Sequence, residues 1–178
     1  IGKSDDEIAA LAKSDAKALT VEELLYAGAL AKTTAEKEAI YKKAIELYPN
    51  DYRTYNNVGM INFLNNDLAG AEAMFNKANS VKANNESNMN LGLIALTKGD
   101  QAKAEQLFGS AAGVNELSEA LGVLYLEKGE YAKAVNSFGA TKSNNAALAQ
   151  ILVKDYSKAQ QTLDGVANAD ATTDYLKA

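Results

Sequence analysis

Closely spaced carboxylates are the side chains of this sequence that could support acid–base chemistry, because the chain contains no histidine and no cysteine. The pairs are Asp5 with Asp6, Glu22 with Glu23, and Glu116 with Glu119. Members of the last pair stand one helical turn apart and could face a common space. Paired acids on a helix are, however, much more often a solvated face than a general acid and base. The sequence therefore predicts a protein that is not an enzyme, and a carboxylate-based enzyme is the weakest alternative.

Metal and cofactor sites find equally little support. Without cysteine and histidine, the chain cannot use thiolate catalysis, cysteine-ligated zinc or imidazole metal sites. No glycine-rich phosphate loop is present. Asp170 and Asp174 could bind Ca²⁺ only with further ligands from elsewhere in the chain. We expect no cofactor and no metal.

The charge and composition of the chain bear on whether it binds nucleic acid or spans a membrane. The formal net charge is −5, and Arg53 is the single arginine, so the clustered cations that neutralise phosphates are missing. We therefore expect no nucleic acid partner. No run approaches the roughly 18 apolar residues of a membrane-spanning helix. The chain starts at Ile1 without an initiator methionine or a secretory leader, which indicates a processed protein or an excised segment.

The elements that must position any site are best seen in the stretch 51–85. Small and apolar residues recur there at three- and four-residue steps, which places them on one face of each of two short helices. They are Tyr55, Val58, Gly59 and Asn62, then Ala71, Phe75, Ala78 and Val81. Between them Asn65-Asn66-Asp67 ends one helix and caps the next. The pattern predicts a helical hairpin whose two faces pack together.

This hairpin resembles the tetratricopeptide repeat, whose pattern has an aromatic, a Leu-Gly pair, a turn, and then Ala, Phe and Ala. The matching positions are Tyr55, Val58-Gly59, Asp67, Ala71, Phe75 and Ala78. Asn62 replaces the second aromatic of the family's first helix. The resemblance implies an all-α, right-handed solenoid of antiparallel hairpins with a concave groove. In that family the groove usually binds a peptide or protein segment.

Four segments repeat the second-helix pattern: NDLAGAEAMF, GDQAKAEQLF, GEYAKAVNSF and KDYSKAQQTL. We interpret residues 1–19 as an N-terminal capping helix and connection, and 20–178 as the repeat array. Its approximate units are 20–51, 52–84, 85–114, 115–140, 141–167 and a partial unit 168–178. The sequence thus predicts about 11–12 helices and no significant strand.

The units shorten towards the C-terminus. Gly59 to Gly92 is 33 residues, Gly92 to Gly122 is 30, and Gly122 to Ala147 is 25. Because the turn within each hairpin is kept, the missing residues must come from the second helices and the links. We expect shorter second helices and a tighter coil after Ala111. In the first hairpin, with its shorter turn, Gly28 should fill the small contact position.

The family register places ligand-facing positions on the first helix of each hairpin. The candidates are Arg53, Asn56, Met60, Phe63, Glu86, Met89, Leu93, Leu96, Glu116, Glu119, Val123 and Leu126. Such a groove could accept an amphipathic helix or an extended apolar segment, since methionine adapts its shape to a partner. The alternative is that neighbouring hairpins bury these apolar side chains.

A carboxylate clamp, one known use of the family, needs lysines beside asparagines at successive first helices. Here the corresponding positions hold Asn56, Met60 and Met89. Asn57 and Asn90 match an asparagine that is common in the family whatever it binds. Because no lysine stands beside them, we reject the clamp.

Two further expectations concern assembly and location. A structural spacer or self-association module, docking edge to edge through Tyr175 and Leu176, is the main alternative to groove binding. The low arginine content and the absence of cysteine are similar to repeat regions of Gram-negative envelope proteins. We therefore favour a periplasmic or envelope-associated location, although a cytoplasmic scaffold would have much the same composition.

Overall fold

A computed structural model describes residues 2–178, and in that range it contains α-helices and no strand. One short 3-10 helix, Ala16–Ala18, follows the first α-helix. The α-helices are α1 Asp5–Ser14, α2 Val21–Leu30, α3 Thr34–Leu47, α4 Tyr52–Leu64, α5 Leu68–Val81, α6 Asn85–Thr97, α7 Gln101–Gly109, α8 Leu117–Glu127, α9 Tyr131–Phe138, α10 Asn144–Leu152, α11 Tyr156–Asp164 and α12 Ala171–Lys177. The predicted all-α fold with about twelve helices is confirmed.

The helices form two compact units, one ending at Leu91 and one running from Gly92 to Ala178. In the first unit, α2 packs on α3 and α4 packs on α5 as antiparallel hairpins. In the second unit, α8 pairs with α9 and α10 with α11, while α12 contacts both α10 and α11. The boundary between the units falls within α6, the first helix of the third hairpin.

A small residue under an aromatic ring holds each hairpin together. A Cβ placed on Gly59 would lie 2.5 Å from Cε1 of Phe75, so only glycine leaves room for this ring. Two other hairpins repeat the contact with the same sixteen-residue spacing, Gly92 under Phe108 and Gly122 under Phe138. Gly28 lies under the Tyr41 ring, which confirms its predicted place in the first hairpin. In the fifth hairpin Ala147 and Leu163 hold the corresponding positions, and both are buried.

The turn inside the later hairpins has one backbone form. A residue with positive φ follows each first helix, and these residues are Asn66, Gly99, Gly129 and Lys154. The next residue donates its N–H to a carbonyl five residues back, as in Asp100 to Ala95 at 2.9 Å. This bond, with the Gly99 N–H donating to the Leu96 carbonyl, forms a Schellman motif that satisfies the last carbonyls of the helix. The Asp100 carboxylate then caps the following helix.

Lys154 should be replaceable by glycine with a gain in stability. Its φ is +66°, a left-handed conformation that costs an L-residue about 1–2 kcal/mol but costs glycine almost nothing. After the larger unfolded-state entropy of glycine is subtracted, we expect K154G to stabilise the protein by about 0.5 kcal/mol. Urea denaturation measures the change. The matched control, G129A, should destabilise the equivalent turn, and a gain in both variants would contradict this explanation.

The second helices shorten along the chain, as predicted from the shrinking units. Helices α3 and α5 have 14 residues each, whereas α7, α9 and α11 have 9, 8 and 9. The first helices shorten less, from 13 residues in α4 to 9 in α10. The tighter coil that we expect after Ala111 stays a prediction.

The N-terminal helix packs on the first hairpin through a narrow apolar stripe. Ile8 and Ala12 are buried in a cluster with Leu24, Ala27 and Ala44. The Ser4 hydroxyl caps this helix by accepting from the Glu7 N–H at 3.2 Å. The next helix, α2, begins with a capping box, in which Thr20 and Glu23 exchange hydrogen bonds. These caps fix where the first two helices start.

Candidate protein-binding surface

Arg53 lies at the start of α4 and is held by two carboxylates rather than left free. Its guanidinium donates to Asp51 and, at 3.1 Å, to Glu22 Oε1 of the preceding first helix. The hydrogen bonds from Arg53 keep the pKa of Asp51 below its usual value and raise the pKa of Arg53 itself. The pKa of Glu22 is also lowered, first by a backbone hydrogen bond and then by Arg53. A ligand that contacts Arg53 would therefore compete with Asp51 and Glu22 for its guanidinium group.

Three of the predicted ligand-facing residues are buried by the protein itself. Asn56 is 8% exposed, and its amide is bonded to Asn84 and Ser87. Met89 is 7% exposed and Leu96 is 8% exposed. For these three side chains the structure agrees with the alternative that packing covers them. The binding role of Asn56 in particular would require it to exchange existing hydrogen bonds for new ones.

The remaining candidates keep part of their surface accessible. In the first unit, Met60 and Phe63 on α4 are half-buried and Glu86 on α6 is exposed. In the second unit, the half-buried positions are Leu93 on α6 together with Val123 and Leu126 on α8, and Glu116 and Glu119 are exposed. Each unit thus presents half-buried apolar side chains with carboxylates on the same series of helices. Such a surface can bury apolar groups of a partner.

Three of the six carboxylates considered for catalysis, Asp5, Glu22 and Glu23, make contacts within the protein. Asp5 accepts a hydrogen bond from the Tyr26 hydroxyl at 2.9 Å. Glu23 accepts from the Thr20 N–H and pairs with Lys3 at 3.2 Å. The first of these contacts, followed by Lys3, lowers the pKa of Glu23. Among residues 2–178, no three potential metal ligands come together. Asp5 thus links α1 to α2, and Glu23 caps α2 and forms an ion pair.

Asp170 caps α12 and should make the attachment of that helix sensitive to acid. Its carboxylate accepts from the Thr173 N–H at 3.1 Å, and this backbone hydrogen bond is the main cause of its lowered pKa. A lowered pKa in the folded state stabilises α12 fully above the ordinary aspartate pKa of about 3.9. This stability is lost as the pH falls through the lower, folded-state value.

Hydrogen exchange of α12 amides between pH 6 and pH 3 measures this effect, after correction for intrinsic rates. The control is D170N, which keeps a capping oxygen but cannot titrate over this range. We expect the wild-type protein to lose more α12 protection on acidification than D170N does. Equal losses in both proteins would show that Asp170 does not carry the pH dependence.

A family model matches the part of the chain that runs from the middle of α3 through α4 into the first residues of α5. Residues 40–73 match a model of the tetratricopeptide repeat. This part of the chain is similar to a tetratricopeptide repeat. No curated protein matches the sequence. Within residues 2–178, no helix of this repeat protein has the length and apolar character needed to cross a membrane.

Solved structures with the same fold cover nearly the whole chain. A chain of the APC/C hetero-tetramer Cut9-Hcn1 superimposes with a TM-score of 0.82 at 16% identity, over 97% of this chain and 38% of that chain. This repeat protein therefore spans well under half the length of that relative. YrrB, described as a TPR protein with an unusual peptide-binding site, gives 0.61 at 16% identity, over 98% of this chain and 94% of its own. MamA gives 0.59 at 19% identity, over 85% of this chain and 90% of its own.

Proposed function

We propose that this repeat protein is a non-enzymatic interaction scaffold whose first helices bind a segment of a protein partner. The observation that carries the proposal is the half-buried apolar surface of α4, with Met60 and Phe63 accessible on a helix that is otherwise fixed by Gly59 and Tyr55. A rigid helix with adaptable apolar side chains lowers the entropy cost of binding. YrrB, a TPR protein with an unusual peptide-binding site, shares the fold, which supports the same role.

The expected ligand is an amphipathic helix or an extended apolar segment. Apolar burial would supply most of its affinity, because the accessible candidates in each unit are mainly Met, Phe, Leu and Val side chains. The exposed carboxylates Glu86 and Glu119 would then favour partners with a basic residue beside the apolar one. Asn56, with its hydrogen bonds satisfied inside the protein, would not contact the ligand.

A selection from a displayed library of random peptides tests the proposal on the intact chain. Enriched peptides are synthesised, and their affinities are measured by calorimetry against the wild type, M60E and L93K. We expect M60E or L93K to weaken binding at least about tenfold, which corresponds to about 1.4 kcal/mol. The matched controls place the same charges on exposed second-helix positions, A73E and Q106K, and should bind normally. Affinities that are equal in all five proteins would refute the proposed surface.

Self-association is a second candidate function, favoured by one observation. Tyr175 on α12 is 79% exposed, the largest exposure of any large apolar side chain in the described range. Docking through this tyrosine and Leu176 would give a mass that rises with protein concentration. Light scattering on the wild type and Y175S tests this, with a dimer of the wild type alone as the supporting result. A monomeric wild type at high concentration would contradict it.

A further inference from the structure

Asn56 forms a hydrogen-bonded bridge to the start of the next first helix. Its Nδ2 donates to Asn84 Oδ1 at 3.1 Å, and its Oδ1 accepts from the Ser87 hydroxyl at 2.6 Å. Asn84 precedes α6 and also accepts from the Ser87 N–H at 2.8 Å, so it acts as the N-cap. Asn56, Asn84 and Ser87 are all less than a tenth exposed. One amide on α4 therefore holds both the cap and the first turn of α6.

The second unit contains the same arrangement with other residues. Asn144 Nδ2 donates to Asp170 Oδ1 at 3.3 Å, and Asn144 Oδ1 accepts from the Thr173 hydroxyl at 2.8 Å. Asp170 is the N-cap of α12, and it accepts from the Thr173 N–H. An amide on α10 thus holds the cap and the first turn of α12. Two independent occurrences of one geometry argue against a chance contact.

Sequence positions confirm that the two arrangements are equivalent. Asn56 and Asn144 each stand three residues before the small residue of their hairpin, Gly59 and Ala147. Ser87 stands five residues before Gly92. By the same spacing, Thr173 stands five residues before Ala178, which identifies α12 as a first helix in register with the others.

The first junction between first helices has the hydroxyl but lacks the amide. Thr54 stands five residues before Gly59, and its side chain is fully buried. Its hydroxyl has no hydrogen-bond partner in the structure. The position that corresponds to Asn56 and Asn144 holds Leu25, which can neither donate nor accept a hydrogen bond. The unpaired hydroxyl is what removal of the amide should leave behind.

We propose that Asn56 and Asn144 are clasps that couple the folding of one first helix to the first turn of the next. An amide can satisfy its donor and its acceptor together only while the following helix is docked and capped. Opening that helix leaves a polar group unpaired on the helix behind, so the two helices lose stability together. The clasp sets the placement of consecutive first helices, whether or not their surface binds a ligand.

Hydrogen exchange in N144A and N56A gives the first test. Alanine is a better helix former than asparagine, so a residue that served only its own helix would leave neighbouring helices unchanged or more protected. The clasp predicts the opposite: N144A should lower protection of α12 amides, and N56A that of the first turn of α6, by roughly fivefold or more. Unchanged protection in the following helix in both variants would overturn the proposal.

Thr173 belongs both to the α12 cap and to the contact with Asn144, so T173V alone would not distinguish the two. A double-mutant cycle separates the energy of the Asn144–Thr173 contact from that of the cap. The urea midpoints of N144A, T173V and the double variant should be non-additive, because either single change already breaks the clasp. At the first junction, T54V should leave the midpoint unchanged or raise it, since no bond is lost there. In the L25N background T54V should lower it. Additive effects at Asn144 and Thr173, or the same response to T54V in both backgrounds, would contradict the clasp.

Discussion

Replacing Phe108 with alanine is expected to destabilise the protein by about 3–5 kcal/mol, which would unfold a large part of the population. The ring is 1% exposed and covers Gly92, so its removal leaves a cavity inside the hairpin. This loss of stability has two parts: the transfer free energy of the ring is lost, and so are the van der Waals contacts around the cavity. Urea denaturation followed by circular dichroism measures the change.

Phe63 provides the control for this prediction. It is also a phenylalanine in the repeat array, but it is half-buried on α4 and does not cover a glycine. We expect F63A to lose clearly less stability and to weaken peptide binding instead. If F63A destabilised the fold as much as F108A, the ring-over-glycine contact would not be the special feature of the hairpin.

Replacing Gly59 with alanine is expected to cost about 2 kcal/mol, although alanine is the better helix former. The new Cβ would lie 2.5 Å from Cε1 of the fully buried Phe75, so the ring or one of the two helices must shift. In the fifth hairpin the two corresponding positions hold Ala147 and Leu163, and both are buried. We therefore expect F75L to rescue part of the loss in the G59A/F75L double variant.

The four proteins of this cycle are compared by their free energies of unfolding. G59A and F75L should each be less stable than the wild type. The loss in the double variant should be smaller than the sum of the two single losses. G109A supplies a control, because Gly109 is exposed and a Cβ there would meet no atom within 4 Å. Strict additivity at Gly59 and Phe75 would contradict the contact.

Much of the fold follows from the sequence because each hairpin uses a few residues whose physical requirements are narrow. Only glycine leaves room under the Phe75 ring, and the Gly99-Asp100 turn combines a left-handed residue with a helix cap. These requirements recur at fixed spacings, so the pattern predicts both the hairpins and their turns. The degenerate fifth copy was recognisable for the same reason, since Lys154-Asp155 keeps the turn.

The surface was harder to predict, because register alone does not say which side chains the protein itself uses. Asn56 has the position of a ligand-facing residue, yet its amide is bonded to Asn84 and Ser87 from the following repeat. Arg53 is similarly engaged by Asp51 and Glu22. A signal for the first arrangement was present, since a hydroxyl residue stands five positions before the small residue in several repeats. This hydroxyl pairs with an amide of the preceding repeat, so a pattern that is defined within one repeat does not reveal the contact.

The three methionines of the chain allow the most direct test of the proposed binding surface. Met60 and Met89 lie on the first helices α4 and α6, whereas Met74 lies on the second helix α5 and serves as an internal control. A spectrum of protein labelled with ¹³C in its methionine methyl groups is recorded while a selected peptide is added. The account predicts that the Met60 signal shifts during the titration and that the Met74 signal stays in place. A shift of Met74 alone, or of none of the three at saturating peptide, would contradict it.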